Sequence, residues 1–175
     1  MMKDERYPIG KFNPRYSLTS DERGALIDSL KLAPANLRQA VAGLDDEQLD
    51  TPYRENGWSV RQVTHHISDS HLNGYTRFKL ALTESHPTIK PYREADWAML
   101  EDGRAADPEI SIRLLEALHQ RWAILLSSLT PIQFARTLTH PESGVLSLDV
   151  ELQIYDWHGR HHIAHITSLR ERQGW

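Results

Sequence analysis

Asp107–Leu129, DPEISIRLLEALHQRWAILLSSL, decides the class of fold. Asp107 is a helix-capping residue, and Pro108 stands at the first helical position, where its missing N–H is not needed. Leu114, Leu118, Trp122, Leu125 and Leu129 follow at helical spacing, flanked by Leu115 and Leu126. Pro131 is the predicted end. An apolar stripe of this width needs partners to bury it, and the chain offers three more helices.

Working outward, the first helix is predicted from Thr19, where TSDE has the form of a capping box. Leu26, Leu30, Ala33, Leu37, Val41 and Leu44 carry its stripe; Pro34 interrupts it with an expected kink, and Gly43 is the expected stop. Ser59 and Gln62 form a second capping box, opening a helix that runs to about Thr83 with Val60, Val63, Ile67, Gly74, Phe78 and Leu82 on one side. From Glu84 to Ala106 no period is visible, and so long a connection suggests a crossover placed to cover a site. Between the third helix and the last, ARTLTHPESGVLSL reads as a small hairpin turning at Pro141–Gly144. The last helix is expected over Asp149 to about Arg172. Residues 1–175 thus read as a single all-α domain: a four-helix bundle with a long crossover between helices two and three and a hairpin before helix four.

Composition narrows the function classes. Hydrophobic residues make up 39% and charged residues 25% of the 175, ordinary for a soluble globular chain. A formal charge of −4 gives no reason to expect nucleic acid or an anionic membrane as partner. No apolar run approaches the roughly 20 residues that span a bilayer, and MMKDERYPIGKF has no apolar signal stretch. Cysteine is absent, which removes disulfides, thiolate ligands and a Cys nucleophile, and makes a reducing cytoplasm the default expectation.

Histidine is the outlier. There are ten, and most fall in two segments, HHISDSH (His65, His66, His71) and HGRHHIAH (His158, His161, His162, His165). On the last helix, His158, His162, His165 and Leu169 share an arc of roughly 60° that Glu151, Ile154, Tyr155 and Ile166 extend. Histidines at i and i+4 sit one above the other and can share one ion. His161 and His165 have the same spacing, but His161 lies toward the edge beside Val150 and Trp157, so the arc favours His158 with His162 and leaves His161 and His165 a supporting or solvent role. On helix two the choice stays open. His71 lies near the centre of the apolar line, whereas His66 sits roughly 100° away at the head of a polar row with Ser70, Asn73 and Arg77.

The segments GWSVRQVTHHISDSHLNGYTRFKLALTE and YDWHGRHHIAHITSLRERQGW, with RYPIGKF, KPYREADWAML and THPESG, resemble the DinB/YfiT superfamily, and within it the YfiT branch. The resemblance covers nearly the whole chain. It implies a four-helix bundle, usually homodimeric, holding one zinc or nickel ion on three histidines. The family's first ligand lies eight residues after the tryptophan of G-W-[ST]-V, which is His66 counted from Trp58; the other two form H-x-x-x-H on the last helix, His158 and His162. Many relatives carry glutamine at the position of His165, which implies a neighbouring role for that residue.

Three neutral imidazoles leave an open position on the ion, where the pKa of water can fall toward neutrality. The branch is described as metal-dependent hydrolases acting on small molecules; other DinB-like relatives bind a low-molecular-weight thiol for S-transfer, and a non-catalytic metal protein would use the same ligands. No HExxH, GxSxG or P-loop pattern offers another mechanism. Glu151 is the candidate catalytic base or ring-orienting group, its alternative being to complement the helix dipole. Asp69 could accept the free ring N–H of His66, Arg77 could bind a substrate anion, and Trp58 and Trp157 read as packing residues.

Overall fold

Thr19 starts the first helix in the way its neighbours predict. Its hydroxyl accepts from the Glu22 N–H at 3.2 Å, and the Glu22 carboxylate accepts from the Thr19 N–H at 2.7 Å. The structure, a computed structural model, describes residues 4–175. Helix α1 runs Ser20–Val41 without a break, and Gly43 follows its cap in the left-handed region at φ 76°. Pro34 lies inside α1; lacking an N–H, it leaves the carbonyl of Leu30, four residues back, without its helical donor. After the short helix α2 (Asp46–Leu49), α3 spans Val60–Thr83 behind a complete Ser59/Gln62 capping box.

The crossover is more ordered than its sequence suggests. It contains the short helices α4 (Glu94–Trp97) and α5 (Glu101–Ala105), the latter packed along α3. It is tied to the hairpin by the Ile89 N–H to the Thr139 carbonyl and the Thr139 N–H to the Pro87 carbonyl, at 3.0 and 2.9 Å. Helix α6 covers Pro108–Ser127 and stops before Pro131, which instead opens the short helix α7 (Pro131–Phe134). Its buried side is turned about one position from the predicted stripe. Ile112, Leu115, Leu118, His119, Trp122 and Leu126 face inward, while Leu114 is 46% exposed. The reason is that α6 packs against both α1 and α3, and its inward face bisects the two. Strands β1 (Thr137–His140) and β2 (Gly144–Ser147) pair antiparallel, and Ser147 then caps α8, Leu148–Gln173.

The order of helices around the bundle follows from their contacts. Helices α1 and α3 each pack on α6 and on α8, so they occupy opposite corners. Arg23 bonds Asp149 near the starts of α1 and α8, and Arg170 caps the Ala40 carbonyl near their ends, so these two run parallel. His66 with His162 and Arg77 with Tyr155 make α3 and α8 antiparallel. His65 with Ser111 and Phe78 with Trp122 make α3 and α6 parallel, which is why their connection must travel the length of the bundle. No described helix is long and apolar enough to cross a membrane.

Two apolar clusters fill the core. One centres on Trp122, Phe78, Leu30 and Leu152, the other on Leu37, Ile67, Leu115 and Ile166. Between them, at the level of Pro34, His71, His119 and His158, the bundle is polar.

Helices α3 and α8 pack tightly at Gly74, where an added Cβ would lie 2.3 Å from Cζ of Tyr155. That ring is 3% exposed and boxed by Trp122 and His71, at centroid distances of 5.2 and 5.3 Å, so it has nowhere to move. Gly74→Ala should therefore lower stability by about 1–2 kcal/mol, overpacking outweighing the gain in helix propensity. Urea unfolding at constant m value reads this directly.

Candidate metal centre

His66 lies in the second turn of α3 on the side that meets α8; His158 and His162 face it from successive turns of α8. One ring nitrogen from each comes within 4.8 Å of the other two. The Nε2 atoms of His66 and His158 are only 3.1 Å apart. Trp58 packs on His66 with ring centroids 4.6 Å apart, the packing role its sequence position suggests. His66 is buried, while His158 and His162 keep part of their surface open. The structure thus brings together the three residues singled out by resemblance; of the two helix-two candidates, His66 comes close to both members of the pair, whereas His71 reaches only the far side of His158.

Burial keeps these rings uncharged. It lowers His66 to about 4, and it holds His158 and His162 well below the usual histidine value, with the neighbouring rings adding to the effect. Neutral imidazoles present lone pairs, and three of them with an open side suit a borderline divalent ion such as zinc or nickel. Two ring nitrogens at 3.1 Å, with no carboxylate among the described residues bonded to either, are an arrangement a shared cation would satisfy.

The other histidines sort by their partners. His165 turns Nδ1 to Nδ1 of His162 at 3.3 Å and Nε2 to the Arg6 carbonyl at 3.3 Å, and it stacks on Tyr53. His161, expected toward an edge, is buried instead, because the N-terminal segment covers it: it stacks on Trp157, lies beside Tyr7, and its Nδ1 has no partner among the described residues. With His162 these two form a second group of closely spaced ring nitrogens. His65 points away from the site, bonding Ser111 Oγ at 2.7 Å and the Ala106 carbonyl at 3.1 Å. His71 is a fully buried core residue; its Nε2 lies 3.2 Å from Nδ1 of His158 and its Nδ1 lies 2.8 Å from Nε2 of His119. His119 drew no attention in sequence, although its place on the line of Leu115, Trp122 and Leu126 was the available signal.

Among the supporting candidates, Asp69 makes no hydrogen bond to His66; burial, and Asp102 nearby, raise it to about 6. Arg77 donates to the Tyr155 hydroxyl at 3.0 Å. Trp157 packs and donates to the Gly10 carbonyl. Glu151 is 1% exposed, neither carboxylate oxygen has a partner among the described residues, and burial raises it to about 7.

So many buried neutral rings make the fold acid-sensitive. His66, His119, His161 and His165 are each lowered to about 4, chiefly by burial. Such a ring binds fewer protons folded than unfolded, so its full stability is present above the ordinary value of 6.5 and is lost as pH falls toward 4. Urea unfolding of metal-free protein should show stability falling between pH 6.5 and 4, by up to about 1.4 kcal/mol per pH unit for each such ring. A flat profile across that window would contradict the burial.

Comparison with known proteins agrees with this architecture. The DinB superfamily profile matches residues 29–166. Putative metal-dependent hydrolase YfiT of Bacillus subtilis (strain 168) is 51% identical over 97% of this chain and 96% of its own. A Bacillus mycoides (strain KBAB4) protein of the same description is 51% identical over 99% of this chain and all of its own. A solved structure of the B. subtilis YfiT, described as a probable metal-dependent hydrolase with an unusual four-helix bundle topology, superposes with a TM-score of 0.96 at 50% identity over 98% of both chains. The chain belongs to the DinB superfamily and, within it, to the YfiT group.

Proposed function

We propose that this chain is a hydrolase of small molecules that depends on one zinc or nickel ion held by His66, His158 and His162. The observation that carries the reading is the meeting of three uncharged imidazoles, two of them partly open to solvent, where α3 faces α8. Its relatives' description as metal-dependent hydrolases supports it. When bound, the ion supplies Lewis acidity, polarising a substrate oxygen and easing the deprotonation of water.

The chain's own groups divide the remaining work. Glu151 handles the proton: with its pKa near 7 it can both take up and release one at neutral pH. It precedes His158 by two helical turns, about 10 Å along α8, so it serves the part of the substrate remote from the ion, or acts through a water. Arg77, steadied by Tyr155, lies on the His66 row about three turns further along α3 and is assigned to orient an anionic substrate group.

Untagged protein should carry about one ion per chain, measured by plasma emission, and His66→Ala and His158→Ala should each lose it. The loaded enzyme should hydrolyse members of an ester and amide panel, with added thiol inhibitory. Glu151→Gln should cut turnover by about 100-fold or more with metal content unchanged. Product formation that needs a thiol and proceeds without hydrolysis would replace this reading with thiol transfer. Stoichiometric metal with no turnover would make the chain a metal-binding protein only.

A cytoplasmic homodimer is the proposed form, on the strength of the family and the lack of cysteine. Sedimentation at micromolar concentration should give about twice the 20.2 kDa chain mass, and a monomer throughout would overturn it.

A further inference from the structure

Behind the metal centre, three histidines from three helices stand in line. His158 Nδ1 lies 3.2 Å from His71 Nε2, His71 Nδ1 lies 2.8 Å from His119 Nε2, and His119 Nδ1 lies 2.7 Å from the carbonyl oxygen of Leu30. The line ends there, on α1. His71 and His119 are 0% and 1% exposed, and among the described residues no carboxylate bonds any of the three rings.

The direction of this line is set from its far end. A carbonyl oxygen can only accept, so His119 carries its proton on Nδ1 and keeps a lone pair on Nε2. His71 must then donate from Nδ1 and accept at Nε2. By the same step His158 must donate from Nδ1, which leaves its Nε2 bare, and that is the atom 3.1 Å from His66 Nε2. Each neutral ring has one proton, so no alternative pattern satisfies all three contacts.

A proline makes the far end of the line possible. Leu30 has a carbonyl to spare because Pro34 has no N–H to donate to it. Gly159 borders the middle ring, and even a Cβ there would stand at ordinary contact distance, 3.4 Å from Cε1 of His71. Trp122 and Tyr155 box the His71 ring edge-on, at centroid distances of 6.1 and 5.3 Å.

We propose that His71 and His119 are positioning residues, which fix the tautomer and orientation of His158 from the Leu30 carbonyl so that its Nε2 lone pair faces the ion. The inference rests on His158 being a ligand, the reading proposed above. It assigns a task to two buried polar residues that would otherwise burden an apolar core. Outer partners of this kind commonly account for about 10- to 100-fold in metal affinity.

Two measurements decide it. In metal-free, ¹⁵N-labelled wild-type protein, ring-nitrogen shifts should show His158, His71 and His119 all protonated on Nδ1. Zinc affinity, read by competition with a chromophoric chelator, should fall about 10- to 100-fold in His119→Leu. His119→Gln should stay within about threefold, because its amide offers a donor and an acceptor in place of the two ring nitrogens. A proton on Nε2 of His158 in the wild type would overturn the proposal whatever the variants do, including a His119→Leu that fails to fold. Equal zinc affinity in wild type and folded His119→Leu would overturn it as well. If wild-type protein bound no zinc at all, the ligand reading would fail instead, and the tautomers would still decide whether the line runs as described.

Discussion

A polar layer halfway along an apolar bundle has to satisfy its hydrogen bonds internally, and much of this structure can be read as the solution to that requirement. The imidazoles of His71, His119 and His158 lie between two hydrophobic clusters, where an unpaired nitrogen would cost on the order of 1–3 kcal/mol. Each helix contributes to the layer. Helix α6 supplies His119 in place of an apolar residue, α3 supplies His71, α8 supplies His158, and α1 supplies a carbonyl freed by proline. The clusters above and below hold the layer's geometry, so stability and site share the same packing.

Bundle topology then determines which side chains can meet. With α3 and α8 antiparallel and closely spaced at Gly74, a histidine near the start of one helix comes level with histidines in the middle of the other. The parallel pair of α1 and α8 is held at both ends by charge: Arg23 grips Asp149 with two bonds, at 2.6 and 2.7 Å, both side chains largely buried, and Arg170 caps the last carbonyls of α1. Running α3 parallel to α6 requires the long crossover, and the crossover's packing along α3 makes that helix buried on more than one side.

That enclosure explains what could and could not be read in the sequence. Capping boxes, the proline start of α6, the hairpin and the last helix were legible because each depends on residues close in sequence. The pair His158 and His162 was legible because one helical arc carries both. His66 could not be separated from His71 by periodicity, since α3 buries Arg61, Thr64, His65, His66, Ser68, Ser70 and His71 together and has no single inward stripe. Only the resemblance to a known family separated them. The turn of α6 that exposes Leu114 and buries His119 reflects two neighbours at once, and the covering of His161 by residues near Tyr7 reflects a contact across the length of the chain. The first leaves only a faint local trace, the line of Leu115, His119, Trp122 and Leu126, and the second leaves none.

Pro34 shows how such a structure constrains its own evolution. In the interior of a helix proline is a local defect, worth about 3 kcal/mol against alanine, and selection for thermal stability alone would remove it. Yet an N–H at residue 34 would compete for the carbonyl that now receives the His119 proton. The most obvious stabilising substitution in α1 is therefore coupled to a ring on another helix and, through it, to the imidazole that faces His66. A lineage can keep a weaker helix at this point for reasons that the helix itself does not contain.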